Sequence, residues 1–400
     1  MAREYRVISA DSHLDINPDV WNHRVPAQWR DRAPRRVKME NGSDAVVVDG
    51  GKPNTIGITR SVGVSPEEIH TQVPTFETGA GTGPPEQRLQ EQDRDGVDAE
   101  VMFSQIHSVL RQAKEDDFYL ALVRAYNEYL AEEYRAPAPD RLIPLAIIPT
   151  TGLDDAVAEL EHCARLGFKG VALTSFPNGR GYPTPDNDRF WAAALDLSMP
   201  LAKHGGGRFI GKREDPPLLY PQMPSDPDMH KADAMQELYR WCGSNAAGAM
   251  QMAYAGVYDR FPTLEMYWAE TMAGWIKYAM WQMDDSYRRY RHMMRAYWAL
   301  DFLERQPSDY IKNQNYWGFL YDPVGVQLRD CIGADKLMWA SDFAHAASDW
   351  PNSRAVIEEI FAGVPEDEKY AMLAGNAVRY WRLDERQGAA AQVSATEPAR

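Results

Sequence analysis

The sequence predicts an α/β fold, specifically a TIM-type (β/α)8 barrel with insertions at its C-terminal face. Short apolar runs alternate with helical patterns along the 400 residues, and this alternation is typical of βα units around a parallel sheet. Some runs, such as Leu145–Ile148, are continuously hydrophobic, as expected of strands that are buried on both faces. The predicted strands are Arg6–Asp11, Ala99–Ser104, Ile143–Pro149, Lys169–Thr174, Met199–His204, Leu264–Ala269, Trp317–Tyr321 and Leu337–Asp342.

Helical patterns separate these strands. Asp154–Leu166 has apolar residues at helical spacing and is followed by Gly167, which is typical of a helix C-terminus. Asp117–Tyr134 shows the same pattern over a longer stretch, and Asp186 is placed to cap a helix over Asp186–Leu197. Eight strands with helices between them favour a closed barrel over an open doubly wound sheet.

We expect a single barrel domain over residues 1–386. Residues 38–90 follow the first strand and predict an irregular flap with a hairpin, whereas residues 206–245 follow the fifth strand and include a predicted helix over about Lys231–Trp241. Both insertions should lie at the end of the barrel that carries active sites, where they would shape the substrate pocket. Residues 387–400 predict a disordered tail.

The composition excludes several kinds of partner. The formal net charge is −15, so the chain should repel nucleic acid and anionic membranes, which bind basic surfaces. No apolar window is long enough for a membrane span or a signal peptide. Cys163, Cys242 and Cys331 lie far apart and indicate no disulfide framework. We therefore expect a cytoplasmic protein that binds a small-molecule substrate and other protein chains.

Polar residues at the predicted strand ends form a candidate site. Asp11 and His13 lie two positions apart at the end of the first strand. Residues i and i+2 of a strand point to the same side, so both should face the barrel interior. The pair alone could also be a turn cap beside a polar core histidine. His204 ends the fifth strand before a glycine-rich loop that leaves its imidazole accessible, although it could also be a hydrogen-bonded core histidine.

Two further strand ends carry acids. Asp342 ends the eighth strand, where a carboxylate can serve as a metal ligand or a general base, and His345 lies close behind it. Glu270 ends the sixth strand after a strongly apolar segment, so its charge needs a metal or a partner such as an arginine at the rim. Asp15 and His107 are weaker candidates. The other histidines fall on predicted loops or helix surfaces and should be structural or exposed: His23, His70, His162, His230 and His292.

Longer motifs resemble the amidohydrolase superfamily, in particular the branch of aminocarboxymuconate semialdehyde decarboxylase. Gly256–Leu264 is similar to that branch's approach to strand six, and Asp95–Asp98 is similar to its approach to strand two. Ser341–Asp342 and Trp350–Pro351 fit the end of its last strand. The resemblance covers about residues 5–383, and it implies a metal-dependent barrel.

The resemblance also implies a ligand set. Asp11 and His13 stand at the positions of the branch's H-x-H pair, and His204 and Asp342 stand at its ligand positions on strands five and eight. Two positions depart from the branch. The first histidine of the pair is replaced by Asp11, and Glu270 replaces the strand-six histidine that acts on substrate or water.

These departures lead to the hypothesis of a dinuclear site. A carboxylate can bridge two metals whereas a neutral imidazole cannot, so Asp11 could bridge one ion to a second held by Glu270 and His345. Carboxylate-rich sites of this kind suit iron, with manganese or zinc as alternatives. The ligands of the two divalent metals would be Asp11, His13, His204, Glu270, Asp342 and His345.

Two enzyme classes follow from this site. The ligand set resembles that of the superfamily's non-heme diiron monooxygenases, which implies hydroxylation of an aliphatic C–H bond with O₂ as a second substrate. The alternative is a metal-dependent hydrolase or decarboxylase. In either case Glu270, Asp342 and His345 are the candidate catalytic residues, and no organic cofactor is expected. An auxiliary barrel without activity is the third possibility. We expect an oligomer of this chain, either with itself or with a homologous chain.

Overall fold

The computed structural model describes residues 3–55, 61–65, 67–68, 71–77, 79–205 and 245–384. The insertion predicted over 206–245, except its last residue, lies outside the described residues, and so does the predicted tail. His70, His230 and Cys242 also lie outside them.

The strands of the described chain fall into a barrel and a small separate sheet. Strands β1, β5–β12 belong to the barrel, and β2–β4 belong to the insertion that follows β1. In chain order they are β1 (Ile8–Leu14), β2 (Arg35–Lys38), β3 (Asp44–Val47), β4 (Asn54–Thr55), β5 (Ala99–Ser104), β6 (Leu142–Pro144), β7 (Ala146–Ile147), β8 (Val171–Ala172), β9 (Leu201–His204), β10 (Met266–Ala269), β11 (Asn315–Phe319) and β12 (Leu337–Trp339).

The barrel strands are all parallel and close on themselves. They pair in the orders β1-β5-β6 and β7-β8-β9-β10-β11-β12, and β6 and β7 are two parts of one strand that is interrupted at Leu145. Closure occurs between β1 and the residues after β12. There the Asp342 N–H donates to the Asp11 carbonyl at 3.1 Å, and the His13 N–H donates to the Phe343 carbonyl at 2.6 Å. The predicted barrel of eight strands is confirmed.

Helices connect the barrel strands, and none in the described part of the chain is long and apolar enough to cross a membrane. Of the four helices predicted above, those that begin at Asp117, Asp154 and Asp186 are found within two residues of their predicted starts. The helix predicted over about Lys231–Trp241 lies outside the described residues. In chain order the helices are α1 (Pro85–Asp95), α2 (His107–Leu110), α3 (Asp116–Tyr129), α4 (Leu153–Arg165), α5 (Asp188–Asp196), α6 (Ala247–Tyr254), α7 (Val257–Arg260), α8 (Ile276–Trp298), α9 (Pro307–Asn313), α10 (Pro323–Gln327), α11 (Arg329–Ile332), α12 (Ser353–Ile360), α13 (Glu366–Tyr370) and α14 (Asn376–Tyr380).

Alternate residues of the strands build two apolar layers. Outward side chains such as Trp268 pack with the helices, while inward side chains such as Tyr267 form a second cluster inside the barrel. The chain's last described helix closes the N-terminal end, where Tyr380 and Trp381 join the inner cluster. Gly170 is required there, because a Cβ at this position would lie 2.4 Å from the Trp381 ring. The opposite end is left for polar residues.

The insertion after β1 contains an antiparallel sheet in the order β2-β3-β4. The predicted hairpin therefore gains a third strand. Buried Asp44 anchors this sheet, because it accepts a hydrogen bond from the Phe76 N–H at 2.8 Å and pairs with Arg36 and Lys38 at 2.9 Å. The same insertion brings Ala80 and Gly81 to the C-terminal end of the barrel, as predicted for its position.

Candidate metal centre

A β-bulge in β1 aims Asp11 and His13 at the barrel interior. Ala10 already packs in the inner cluster, so strict alternation would next turn Ser12 inward. The register with β5 instead shifts just before Ser12, and His13 lies opposite an inward residue of β5. An extra residue in one strand re-aims the side chains that follow it. Both residues face inward as predicted, but the bulge, which the alternation rule ignores, is the reason.

Four side chains meet at the C-terminal end of the barrel. One possible ligand atom from each of Asp11, His13, His204 and Asp342 lies within 4.8 Å of the others. His204 Nε2 is 3.3 Å from Asp11 Oδ2, and His13 Nε2 is 2.9 Å from Asp342 Oδ1. These are the residues that the sequence assigns to the first metal, and the structure brings all of them together.

Several possible ligand atoms of this group lack hydrogen-bond partners within the described chain. Both carboxylate oxygens of Asp11, Oδ2 of Asp342 and Nε2 of His204 are buried without such a partner. Leaving buried charged or polar atoms unsatisfied is costly. A divalent cation would satisfy all of them at once, and carboxylate and imidazole are the ligands that zinc, manganese and iron accept. The residues present therefore fit a metal ion.

The charges of the group support the same conclusion. Burial acts to lower the pKa of His204, but the Asp11 carboxylate outweighs it and raises that pKa to about 9. Burial, together with the charge of Asp342, raises the pKa of Glu270 to about 7. The negative charges of Asp11 and Asp342 thus favour a proton on His204 and on Glu270, which is the electrostatic setting in which a cation binds favourably.

Glu270 lies at the rim of the group. Its Oε2 is 3.6 Å from His204 Nε2, so its ion-pair partner among the described residues is a histidine and not the rim arginine considered as an alternative. Glu270 and Asp342 both have left-handed backbone conformations, with φ of 51° and 54°. Such conformations cost energy in residues other than glycine and cluster at functional sites. Both strand ends are therefore shaped around this site.

His345 and Gln105 flank the group on the side of His13. The His345 ring stacks on the His13 ring with centroids 3.7 Å apart, and its Nδ1 is 2.9 Å from Asp342 Oδ1. The Gln105 side-chain amide is 2.8 Å from His13 Nδ1 and 3.1 Å from His345 Nε2. An amide can present either its oxygen or its nitrogen, so Gln105 can orient either tautomer of His13. Gln105 directly follows β5 but is not among the predicted site residues.

The weaker candidates lie beside the group. Asp15 lines a small cavity together with His13, Gln105 and His345. His107 has its Nδ1 3.2 Å from the Ser104 carbonyl oxygen, and burial lowers its pKa. Neither residue belongs to the four-donor group.

The other described histidines lie elsewhere, as the sequence predicts. His23 pairs with Glu133 at 2.9 Å, and His162 lies 3.2 Å from Glu128. The His292 ring packs on Phe302.

Arg88 of α1 is a further residue that the sequence analysis missed. It is buried, and its Nε donates to Glu100 Oε2 at 2.5 Å. Its other nitrogens donate to the carbonyl oxygens of His13 at 3.1 Å and Phe343 at 3.4 Å. Arg88 thus binds both strands of the barrel seam that carries Asp11, His13 and Asp342. Nothing in its sequence neighbourhood distinguishes it from an exposed helix arginine.

Comparison with known proteins places the chain in a family. The family model described as amidohydrolase matches residues 19–383. Among curated proteins, the chain is 21% identical over 304 residues to the 2-amino-3-carboxymuconate-6-semialdehyde decarboxylase of Dictyostelium discoideum, covering 75% of this chain and 77% of that protein. It is 27% identical over 145 residues to decarboxylase orsB of Emericella nidulans, covering 36% of this chain and only 42% of that protein.

Solved structures share the fold. An amidohydrolase from Mycobacterium avium subsp. paratuberculosis K-10 superposes with a TM-score of 0.71 at 17% identity, covering 97% of this chain and 100% of that one. The 5-carboxyvanillate decarboxylase of Novosphingobium aromaticivorans DSM 12444, complexed with manganese and 4-hydroxy-3-methoxy-5-nitrobenzoic acid, superposes with a TM-score of 0.63 at 15% identity, covering 94% and 96%. The match of the family model over most of the chain shows that this protein belongs to the amidohydrolase family.

Proposed function

We propose that this protein is a metal-dependent decarboxylase that removes a carboxyl group from an aromatic or unsaturated small molecule. The observation that carries the proposal is the buried four-donor group, whose unsatisfied atoms converge at the C-terminal end of the barrel. The curated relatives described above are decarboxylases, and a solved decarboxylase with the same fold is complexed with manganese. Manganese is therefore the first metal to test, with zinc and iron as alternatives.

The residues divide the work between binding and proton delivery. Asp11, His13, His204 and Asp342 would hold the ion, which when bound would neutralise and orient the substrate carboxylate. Decarboxylation breaks the carbon–carbon bond, releases CO₂ and leaves the electron pair on a carbon that must take up a proton. We assign delivery of that proton to Glu270, because its carboxyl lies at the rim of the group and is partly exposed. Asp342 is fully buried, so the role of a metal ligand suits it better than the role of a general base, which was its other predicted role.

The proposal is tested by measuring CO₂ release. Chelator-stripped protein is reconstituted with Mn²⁺ and incubated with a panel of aromatic and unsaturated carboxylic acids. We expect metal-dependent CO₂ release from at least one of them. Glu270→Gln should bind Mn²⁺ but lose at least about 100-fold in turnover, as expected for loss of a general acid. Metal-dependent release of a different product from the panel, without CO₂, would contradict the proposal.

A dinuclear monooxygenase is the second candidate, and Glu270 is the observation that favours it. Glu270 stands where the family has histidine, and His345 adds a donor beside Asp342. Both oxygens of Asp11 are unsatisfied, so this carboxylate is able to bridge two ions. Under this candidate, protein purified with iron would hold two ions per chain, and its reduced form would consume O₂. One ion per chain, unchanged in Glu270→Ala, would exclude it.

A further inference from the structure

Tyr267 carries a buried hydroxyl to which the metal centre described above gives no role. Its side chain belongs to the inner cluster of the barrel and is fully buried. The hydroxyl has no hydrogen-bond partner among the described residues. A phenylalanine would fill the same space without a polar atom to satisfy, and a buried hydroxyl without a partner is costly. Packing alone therefore does not explain why this residue is a tyrosine.

The hydroxyl of Tyr267 reaches the level of the metal centre. Tyr267 itself lies opposite Ala202 on β9, whereas Ala269, two residues further along β10, lies opposite the metal ligand His204. A Cβ at Gly318 of β11 would lie 2.4 Å from the Tyr267 hydroxyl oxygen and 3.1 Å from the Cα of Ala269. The ring thus extends from its own layer of the barrel to the layer of Ala269 and His204. Glycine at position 318 leaves the space that the hydroxyl occupies.

Asp11 is the metal ligand that acts most strongly on this hydroxyl. Burial raises the pKa of Tyr267 well above its usual range, and the Asp11 carboxylate is the charge that adds most to this rise. The rings of Tyr267 and His204 both pack on Phe103, with centroids 6.5 Å and 5.4 Å from it, and His204 lies 3.3 Å from Asp11. Tyr267 therefore keeps its proton and is a hydrogen-bond donor beside a carboxylate whose two buried oxygens have no partner in the described chain.

We propose that Tyr267 is a positioning residue for Asp11, whose carboxylate it holds by a hydrogen bond through one bound water. The water is needed because the two groups lie beyond direct hydrogen-bond distance, and buried waters bind where polar groups are otherwise unsatisfied. The contact fixes the orientation of the carboxylate and leaves one of its oxygens to the metal. The proposal rests on the metal centre of the proposed function, and it holds whichever reaction that centre catalyses.

Tyr267→Phe removes the hydroxyl and keeps the ring, so it tests the proposal directly. Chelator-stripped wild type and variant are titrated with Mn²⁺ in a calorimeter, and we expect the variant to bind about 10-fold more weakly, as is typical when a group that orients a metal ligand is lost. The zero-field splitting of the bound Mn²⁺, measured by electron paramagnetic resonance, should also change, because the Asp11 carboxylate is no longer held in one orientation. A role in packing alone would alter stability to urea but neither of these measurements.

Tyr316→Phe is the matched control. Tyr316 lies opposite Tyr267 in the register of β10 and β11 and belongs to the same inner cluster, but its hydroxyl accepts from Arg379 Nε at 3.4 Å, on the helix that closes the N-terminal end. This variant should match wild type in Mn²⁺ affinity and in its spectrum. Unchanged affinity or an unchanged spectrum in Tyr267→Phe, or equal losses in the two variants, would overturn this proposal alone. A wild type that binds no Mn²⁺ would overturn the metal centre as well.

Discussion

The two ends of the barrel are built from the same strands but carry opposite chemistry. At the N-terminal end, the rings of Tyr380 and Trp381 pack with inward strand residues, and the Tyr380 hydroxyl donates to the Leu201 carbonyl at 2.5 Å. At the C-terminal end, Asp11 and Asp342 keep buried carboxylate oxygens without hydrogen-bond partners in the described chain. In barrels of this type one end stabilises the fold and the other acts on substrates. Substitutions at the two ends should therefore fail in different assays.

The largest expected effect is the loss of metal at the C-terminal end. Asp11→Asn should abolish stoichiometric metal binding, measured by elemental analysis after gel filtration. The metal-free variant should be less stable than metal-free wild type near pH 7, because it loses the ion pair between Asp11 and the protonated His204, whose atoms lie 3.3 Å apart. A variant that retains full metal content would show that Asp11 is not a ligand.

The matched substitution at the N-terminal end should show the opposite pattern. Trp381→Ala removes a fully buried ring and should lower the free energy of unfolding by about 3–5 kcal/mol. Its metal content per folded chain should equal that of wild type. Urea titration measures the stability, and elemental analysis of the folded fraction measures the metal. Loss of metal without loss of stability would contradict the division between the two ends.

Arg88 should affect both stability and metal binding, because it is a buried cation that also binds both sides of the barrel seam. Arg88→Met leaves the buried Glu100 carboxylate without its cation, with only the Gln92 amide still donating to it. The substitution should therefore cost about 3 kcal/mol of stability and lower metal affinity by about 10–100-fold. The double variant Arg88→Met/Glu100→Gln removes the orphan charge. It should recover stability, measured by urea titration, but not metal affinity, measured by calorimetric titration. Recovery of both would mean that Arg88 matters only for charge balance.

Gln105 should have the smallest effect. Gln105→Leu removes the amide that contacts the two stacked histidines, His13 and His345. Metal affinity should fall by about 10-fold, as is typical when a group that orients a histidine ligand is lost. The free energy of unfolding should change by less than about 1 kcal/mol, because Gln105 is only partly buried. Unchanged affinity in calorimetric titration would remove Gln105 from the metal centre.

Much of the fold could be predicted from the sequence because its signals are periodic. The apolar runs locate the barrel strands, and the polar residues at their ends identify Asp11, His13, His204 and Asp342. The ends of the strands are less predictable. The first was predicted to end at Asp11 but continues to Leu14, and the eighth was predicted to reach Asp342 but ends at Trp339. Hydrogen-bond pairing with neighbouring strands determines where each strand ends. The residues of one segment alone do not indicate this pairing.

The supporting residues could not be predicted for a related reason. The bulge before Ser12 and the left-handed conformation of Glu270 are consequences of tertiary contacts, not of local residue preference. Arg88 and Gln105 contact the site across long sequence separations. The predicted second metal and the oxygenase activity rested on a change of residue type at Glu270, and they stay predictions.

Direct detection of the histidine ligands tests the central claim, which is that the four-donor group binds a metal. Chelator-stripped protein is titrated with Mn²⁺, and electron spin echo envelope modulation of the bound ion is recorded. We predict nitrogen modulation from imidazole ligands in wild type, and weaker modulation in both His13→Gln and His204→Gln. Bound Mn²⁺ without nitrogen modulation, or modulation that both variants leave unchanged, would contradict the account.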